Sequence, residues 1–296
     1  MDTPRPYQRI LLFVVGLLVV FGAAAAVGSL VEPAETEGGT EEKMAAHAAE
    51  DTHTTTHEPS EHEPAGLGVS ADGYTLRLRQ TRMELGQARE LRFAIEDGSG
   101  DAVAEFDELH ERRLHLIVVR RDGTGFRHLH PEMDATGTWT TPIEFAEAGV
   151  YRAFADFSVD GEQRTLAADL FVSGGEFEAR PFPAPQPVAA TDGYEVRLRV
   201  GEATAGEPDS LAFSVSRDGR PVEDLAPYLG AKGHLVALRE GDLAFLHVHP
   251  REGDEVAAEE IAFEATFPSA GRYRLYLQFK HEGFVRTAEF TVVVPG

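Results

Sequence analysis

Apolar residues along most of the chain come in short alternating runs that are separated by turn residues. Residues 74–80 (YTLRLRQ) alternate apolar and polar side chains, and residues 194–200 (YEVRLRV) repeat the pattern. Alternation with a period of two is typical of a strand with one buried face. In the first half of the folded region the pattern predicts strands near residues 74–80, 91–96, 113–121, 126–130, 138–145, 150–158 and 165–172. Strands this short and this closely spaced predict an all-β fold, an immunoglobulin-like β-sandwich, with a small barrel as the alternative.

The strand pattern occurs twice. Asp72-Gly73-Tyr74 returns as Asp192-Gly193-Tyr194, and the segment FRHLHP at residues 126–131 returns as FLHVHP at residues 245–250. An internal repeat of this length indicates two tandem copies of one domain. We therefore predict β-sandwich repeats over residues 67–174 and 191–296. A Pro-rich connector over residues 175–190 should be semi-rigid and leave the two repeats as separate folding units.

The first 31 residues follow a different pattern. Arg5 and Arg9 precede an uncharged run over residues 10–31, which is long enough as a helix to cross the hydrocarbon core of a bilayer. Positive charge before the run and acidic residues after it predict a cytoplasmic N-terminus and extracytoplasmic domains. Residues 1–31 are thus a transmembrane anchor in the cell membrane or, alternatively, a signal segment cleaved near Ala24-Ala25-Ala26 to give a secreted protein.

Residues 32–66 are rich in Glu, Thr, Ala, Pro and His, and they contain almost no large apolar residue. Such a segment cannot bury enough apolar surface to offset its chain entropy, so we predict a disordered acidic tether. Its histidines are His47, His53, His57 and His62. They can capture metal loosely, or they can be incidental to a solvated spacer.

Charge and composition exclude several functions. The chain has 27 Lys and Arg against 50 Asp and Glu, a formal net charge of −23, which disfavours nucleic-acid partners. It contains no cysteine, so disulfides, thiolate metal sites and cysteine nucleophiles are excluded. We find no nucleophile elbow, phosphate loop or paired-acid motif, and we predict that the protein is not an enzyme.

The candidate chemistry lies in a histidine-bearing hairpin. A loop at Asp122-Gly123 would place His115 opposite His130, with His128 diagonally adjacent on the same face. A loop at Gly241-Asp242 would likewise gather His234, His247 and His249. Three neutral imidazoles on one face can bind a copper or zinc ion, so we predict one metal site in each repeat.

A fourth ligand would differ between the two predicted sites. His110 precedes the first hairpin and Asp156 lies on a later strand, whereas His281 lies near the second site. The alternative interpretation is that these histidines are hydrogen-bonded core residues of a structural or protein-binding module. Packing three imidazoles together is costly unless something binds their lone pairs, which favours the metal site.

The segments LHLIVV at residues 114–119 and FRHLHP at residues 126–131, with their counterparts in the second copy, resemble exported bacterial β-sandwich domains of the YtkA-like kind. The resemblance covers both repeats and implies an exported protein linked to heavy-metal or copper handling. A CopC-type copper carrier would be expected to use a mature N-terminal His, which this anchored chain lacks. We therefore expect a membrane-anchored extracytoplasmic metal-binding protein, such as a copper or zinc chaperone, buffer or sensor.

Overall fold

The structure is a computed structural model that describes residues 64–246, 248–251, 256, 257 and 259–296. The predicted anchor over residues 1–31 and nearly all of the tether over residues 32–66 lie outside the described residues. Within the described ranges, no helix has the length and apolar character needed to cross a membrane.

The first repeat consists of two five-stranded sheets. Their strands are β1 (Ser70–Ala71), β2 (Tyr74–Leu78), β3 (Arg82–Glu84), β4 (Arg89–Glu96), β5 (Leu114–Arg120), β6 (Arg127–Leu129), β7 (Glu132–Met133), β8 (Trp139–Ile143), β9 (Gly149–Val159) and β10 (Glu162–Ser173). One sheet has the order β1-β2-β4-β8-β7 and the other has the order β3-β10-β9-β5-β6. Neighbouring strands are antiparallel except for β3 and β10, which are parallel.

The second repeat follows the same plan. Its strands are β11 (Val188–Thr191), β12 (Tyr194–Val200), β13 (Pro208–Arg217), β14 (Arg220–Pro221), β15 (Gly233–Arg239), β16 (Phe245–Leu246), β17 (Val248–Arg251), β18 (Glu260–Thr266), β19 (Gly271–His281) and β20 (Phe284–Val294). One sheet has the order β11-β12-β13-β18-β17, with β14 beside β13, and the other has the order β16-β15-β19-β20.

Each repeat has its own apolar core between its two sheets. In the first repeat, Phe93 and Trp139 of one sheet pack with Leu116 and Phe157 of the other. A corresponding cluster fills the second repeat. The predicted all-β class with two tandem β-sandwich repeats is confirmed, and each sandwich is made of two separate sheets and not of a closed barrel.

Hairpin geometry sets the register of the histidine-bearing strands. Strands β5 and β6 pair Leu116 with Leu129 and Ile117 with His128, which is the predicted register. The loop between them is longer than the predicted two residues, because β5 ends at Arg120 and β6 begins at Arg127. In the second repeat the pairing of Leu238 with Phe245 also follows the prediction.

Strand β5 is buried on both of its faces. Leu116 and Val118 point into the first core, whereas Ile117 and Val119 join a separate apolar cluster. That cluster draws residues from both repeats and from the connector: Ile117, Val119, Phe154, Ala167, Phe182, Val236, Leu238, Leu243, Phe245 and Tyr276. The sheet containing β5 and β9 therefore packs face to face on the sheet containing β15 and β19.

The described residues of the two repeats belong to one compact unit, in which the repeats are docked onto each other. The rings of Phe126 and Tyr276 stack with centroids 4.1 Å apart, and the Tyr276 hydroxyl donates to the Gly123 carbonyl at 2.6 Å. Phe182 of the connector is buried in the same interface. The connector thus contributes to the docking of the repeats. That the repeats are separate folding units stays a prediction.

Candidate metal centre

Three histidines of the first repeat converge at the edge of this interface. His115 lies on β5, His128 lies on β6, and His130 follows β6 directly. One ring nitrogen of each residue lies within 4.8 Å of those of the other two. This is the first of the two predicted patches, and it forms because the hairpin places His115 opposite His130 and keeps His128 on the same face.

Hydrogen bonds hold two of these rings in defined orientations. The Nε2 of His115 lies 2.8 Å from the Leu109 carbonyl oxygen, and the Nδ1 of His128 lies 2.6 Å from Gln278 Oε1. Both oxygens are acceptors, so each of these ring nitrogens carries a hydrogen. In the neutral rings the remaining nitrogens, His115 Nδ1 and His128 Nε2, then hold lone pairs. They face each other at 2.9 Å.

A tight turn positions the Leu109 carbonyl. Leu109 and Arg112 exchange two backbone hydrogen bonds, at 2.7 and 3.0 Å, across His110 and Glu111. Both central residues have positive φ, 49° for His110 and 64° for Glu111. A left-handed backbone is uncommon for residues other than glycine, so this turn stores local strain beside the histidines.

Burial disfavours protonation of the cluster. It lowers the pKa of His115 from 6.5 to about 4, although the nearby Asp156 opposes this shift. Burial and the neighbouring His115 hold the pKa of His128 well below its usual range. Burial, with the positive charge of Arg112, lowers the pKa of His130 to about 4. The rings are therefore neutral at pH 7, which is the state that binds metal.

The Nε2 of His130 is buried and has no hydrogen-bond partner among the described residues. An unpaired buried polar atom costs about 1–3 kcal/mol, so native proteins rarely leave one without a reason. Here the unpaired atom belongs to a ring that already lies against two other imidazoles. A bound cation would supply the missing partner.

The second repeat adds one imidazole to this cluster. The ring of His234, on β15, lies 4.7 Å from the ring of His128 and 5.5 Å from the ring of His115, measured between centroids. Burial and the same two histidines hold its pKa well below the usual range. The predicted ligand His110 lies at the edge of the cluster, 5.8 Å from His234 and 6.1 Å from His115 between centroids.

A small cavity adjoins His110 and His234. Its volume is about 20 Å³, and Leu229, Val248 and Phe263 form part of its apolar lining. This is enough room for one water molecule. The space beside His110 and His234 can therefore hold a single ligand the size of water.

The second predicted patch is not assembled in the way that the hairpin geometry suggested. His249 lies on β17, exposed and paired with Glu264 of β18, because the chain leaves the β15 sheet after Leu246 and joins the other sheet. His247 lies outside the described residues. His234 is thus separated from His249 and lies against the first patch.

His281 occupies a different place. Its Nδ1 lies 2.7 Å from the Tyr194 hydroxyl and its Nε2 lies 3.0 Å from Asp224 Oδ1. Both ring nitrogens have partners, and the residue does not belong to the three-histidine group. It is a buried, hydrogen-bonded histidine of the second repeat.

Sequence reasoning missed Gln278 and the Leu109 carbonyl. Gln278 is a polar residue directly after the apolar run LYL at residues 275–277 of β19, and it aligns with Asp156 of the first repeat. Asp156 is buried opposite His115 and accepts hydrogen bonds from Thr165 and Gln163. A polar residue in a buried central strand was the signal that could have revealed Gln278.

Fold and site define a tandem β-sandwich protein with a histidine cluster at the junction of its repeats. Residues 69–174 and 189–296 match the family described as a domain of unknown function (DUF8832). The matches cover most of the chain, which therefore belongs to this family and carries two copies of its domain. No curated protein matches the sequence.

Several solved structures share a distant likeness with this chain. The Escherichia coli adhesin FdeC is 15% identical over 77% of this chain and 65% of its own, just under two thirds of its length, with a TM-score of 0.27. A DUF4426 family protein from Pseudomonas aeruginosa PAO1 is 10% identical over 37% of this chain and 97% of its own, with a TM-score of 0.29. Invasin, a bacterial integrin-binding protein, is 11% identical over 77% and 40%, with a TM-score of 0.23. Likenesses this weak carry no argument about function.

Proposed function

We propose that this chain is an extracytoplasmic metal-binding protein in which His115, His128 and His130 bind one copper or zinc ion. The observation that carries the proposal is the convergence of three ring nitrogens within 4.8 Å. Two of the three rings use their other nitrogen to donate a hydrogen bond to a carbonyl oxygen, which is the arrangement usual for histidines that bind metal. The third ring has a buried nitrogen without a partner.

The surroundings suit a nitrogen-bound cation. Imidazole ligands favour copper and zinc over the harder magnesium and calcium ions. The buried carboxylate of Asp156, opposite His115 on β9, supplies negative charge close to the ligands. Among the described residues, His234 is the nearest further imidazole, and it is the candidate for a fourth ligand.

The place and role of the protein rest on its N-terminal sequence. Arg5 and Arg9 before the apolar run over residues 10–31 support a single-pass anchor in the cell membrane with the repeats outside. The resemblance to YtkA-like exported domains supports the same location. A non-enzymatic chaperone, buffer or sensor for copper or zinc, with the membrane and the metal ion as its partners and no nucleic acid, fits these features.

The proposal is tested by measuring metal binding to the full chain. The background carries His47→Gln, His53→Gln, His57→Gln and His62→Gln, so that tether histidines do not contribute, and it has no affinity tag. Equilibrium dialysis against Zn²⁺ or Cu²⁺ should show one tightly bound ion per chain. His128→Gln with His130→Gln should abolish it, whereas His249→Gln, which changes an exposed histidine on β17, should leave it intact. No tight binding, or tight binding that survives the double substitution, would refute the proposal.

A structural role for the cluster is the second candidate. The 2.9 Å contact between His115 and His128 is itself a hydrogen bond if the Gln278 amide group donates to His128 Nδ1, so that His128 Nε2 carries the hydrogen and donates it to His115 Nδ1. A neutral chain of hydrogen bonds would then specify how the repeats dock, in a structural or protein-binding module. In that case saturating Zn²⁺ and Cu²⁺ leave the melting temperature unchanged. On the metal proposal, an ion at 100 times its Kd adds about 2.7 kcal/mol to the free energy of unfolding. For the two docked repeats together, this raises the melting temperature by roughly 5 to 11 °C.

A further inference from the structure

Strand β19 of the second repeat reaches across the interface to a histidine of the first. Gln278 is buried on β19, on the same face as Tyr276, which belongs to the apolar cluster shared by the repeats. Its Oε1 lies 2.6 Å from the Nδ1 of His128, a residue 150 positions earlier in the chain. Its partner across the ladder on β15 is His234, whose ring lies against His128 as well.

The side-chain oxygen of Gln278 decides which nitrogen of His128 holds the lone pair. A carbonyl oxygen accepts a hydrogen bond and cannot donate one, so His128 Nδ1 carries the hydrogen. The Nε2 of His128 keeps the lone pair that can bind a metal ion. That Nε2 is the nitrogen directed at His115. Within the first repeat, the Leu109 carbonyl accepts a hydrogen bond from His115 Nε2, which leaves the lone pair of His115 on Nδ1.

We propose that the metal centre is shared between the repeats: the first repeat supplies the three ligands His115, His128 and His130, and Gln278 of the second repeat is the positioning residue that holds His128 in its metal-binding tautomer. This inference rests on the proposed function. It also predicts a linkage between metal binding and docking of the repeats. Since docking delivers Gln278 to His128, a bound ion must strengthen docking by the same free energy by which docking strengthens metal binding.

Two substitutions of Gln278 separate positioning from packing. Gln278→Met keeps the length of the side chain but removes the acceptor, so the affinity of the full chain for Zn²⁺ should fall about 10- to 100-fold. Gln278→Glu keeps an oxygen that can only accept, so the affinity should equal or exceed that of the wild type. Both are measured in the background that lacks the tether histidines, with the His249→Gln variant as the matched control.

Hydrogen exchange tests the linkage. Saturating Zn²⁺ should slow amide exchange in β5 and β15, the facing central strands, in the wild type and in Gln278→Glu. Gln278→Met should show a smaller effect at the same concentration of Zn²⁺. A merely structural role for Gln278 would lower protection equally with and without the metal.

The outcomes distinguish the two proposals. If the wild type binds no Zn²⁺ or Cu²⁺ tightly, the proposed function fails. If the wild type binds an ion and Gln278→Met binds it equally well, the proposed function stands and the shared centre is wrong. If Gln278→Glu weakens binding as much as Gln278→Met and also destabilises the metal-free protein, Gln278 donates through its amide to His128, and the positioning role is refuted.

Discussion

Acidification should destabilise the metal-free protein before its carboxylates begin to titrate. His115, His128, His130 and His234 all have a lowered pKa in the fold, chiefly because they are buried. In the unfolded chain each titrates near 6.5. As the pH falls through 6.5, these histidines bind protons in the unfolded state but stay neutral in the folded state. The stabilising contribution is therefore complete above pH 6.5 and is lost as the pH decreases.

The magnitude follows from the two groups with a folded pKa of about 4. For His115, which is fully buried, lowering the pH from 7.5 to 5 should remove about 2 kcal/mol from the free energy of unfolding. His130 is partly exposed, and solvent screening makes its share smaller. His128 and His234 act in the same direction. Asp156, which faces His115, favours the protonated form and limits the loss.

The assay is urea unfolding of the full chain in a chelator at pH 7.5, 6.5, 5.5 and 5. A loss of about 2 kcal/mol lowers the urea midpoint by about 1 M for a typical small-protein m-value. The variant His128→Gln with His130→Gln removes two of the depressed groups and should show a clearly shallower dependence on pH. His249→Gln, an exposed histidine outside the cluster, should follow the wild type. Equal slopes for the wild type and the double variant would refute the assignment of neutral buried rings.

Further predictions concern the interface and the anchor. Tyr276→Phe leaves the Gly123 carbonyl without its donor and should cost about 1–3 kcal/mol in urea unfolding. Phe154→Ala opens a cavity in the cluster shared by the repeats and should cost about 3–5 kcal/mol by the same measurement. Gly123→Ala should cost more than about 1 kcal/mol in thermal unfolding, because φ is +75° and the added Cβ would lie 2.7 Å from the Phe182 ring. Protease added outside intact cells should cleave within residues 32–66 and release a folded fragment, and protection of that region would contradict the predicted topology.

Local periodicity was sufficient for the strands and for the first histidine patch. Alternation of apolar and polar residues reveals which side chains share a face, and hairpin pairing then places residues opposite each other. His115, His128 and His130 belong to one hairpin, so their convergence depends only on pairing between strands that are close in sequence. The repeat and its β class were predictable from the sequence because they too depend on local patterns along the chain.

Tertiary packing decides which other part of the chain covers each face of a strand. The apolar residues on both faces of β5 indicated a central strand, but the second face is covered by the other repeat, whose facing residues lie more than 100 positions away in the chain. His234 and Gln278 reach the cluster only through that face-to-face packing of sheets. His249 lies away from the cluster because β17 pairs with β18 in the other sheet of the second repeat. Side-chain alternation cannot distinguish these outcomes, since it sets the direction of a residue along its own strand and carries no information about which distant surface it meets.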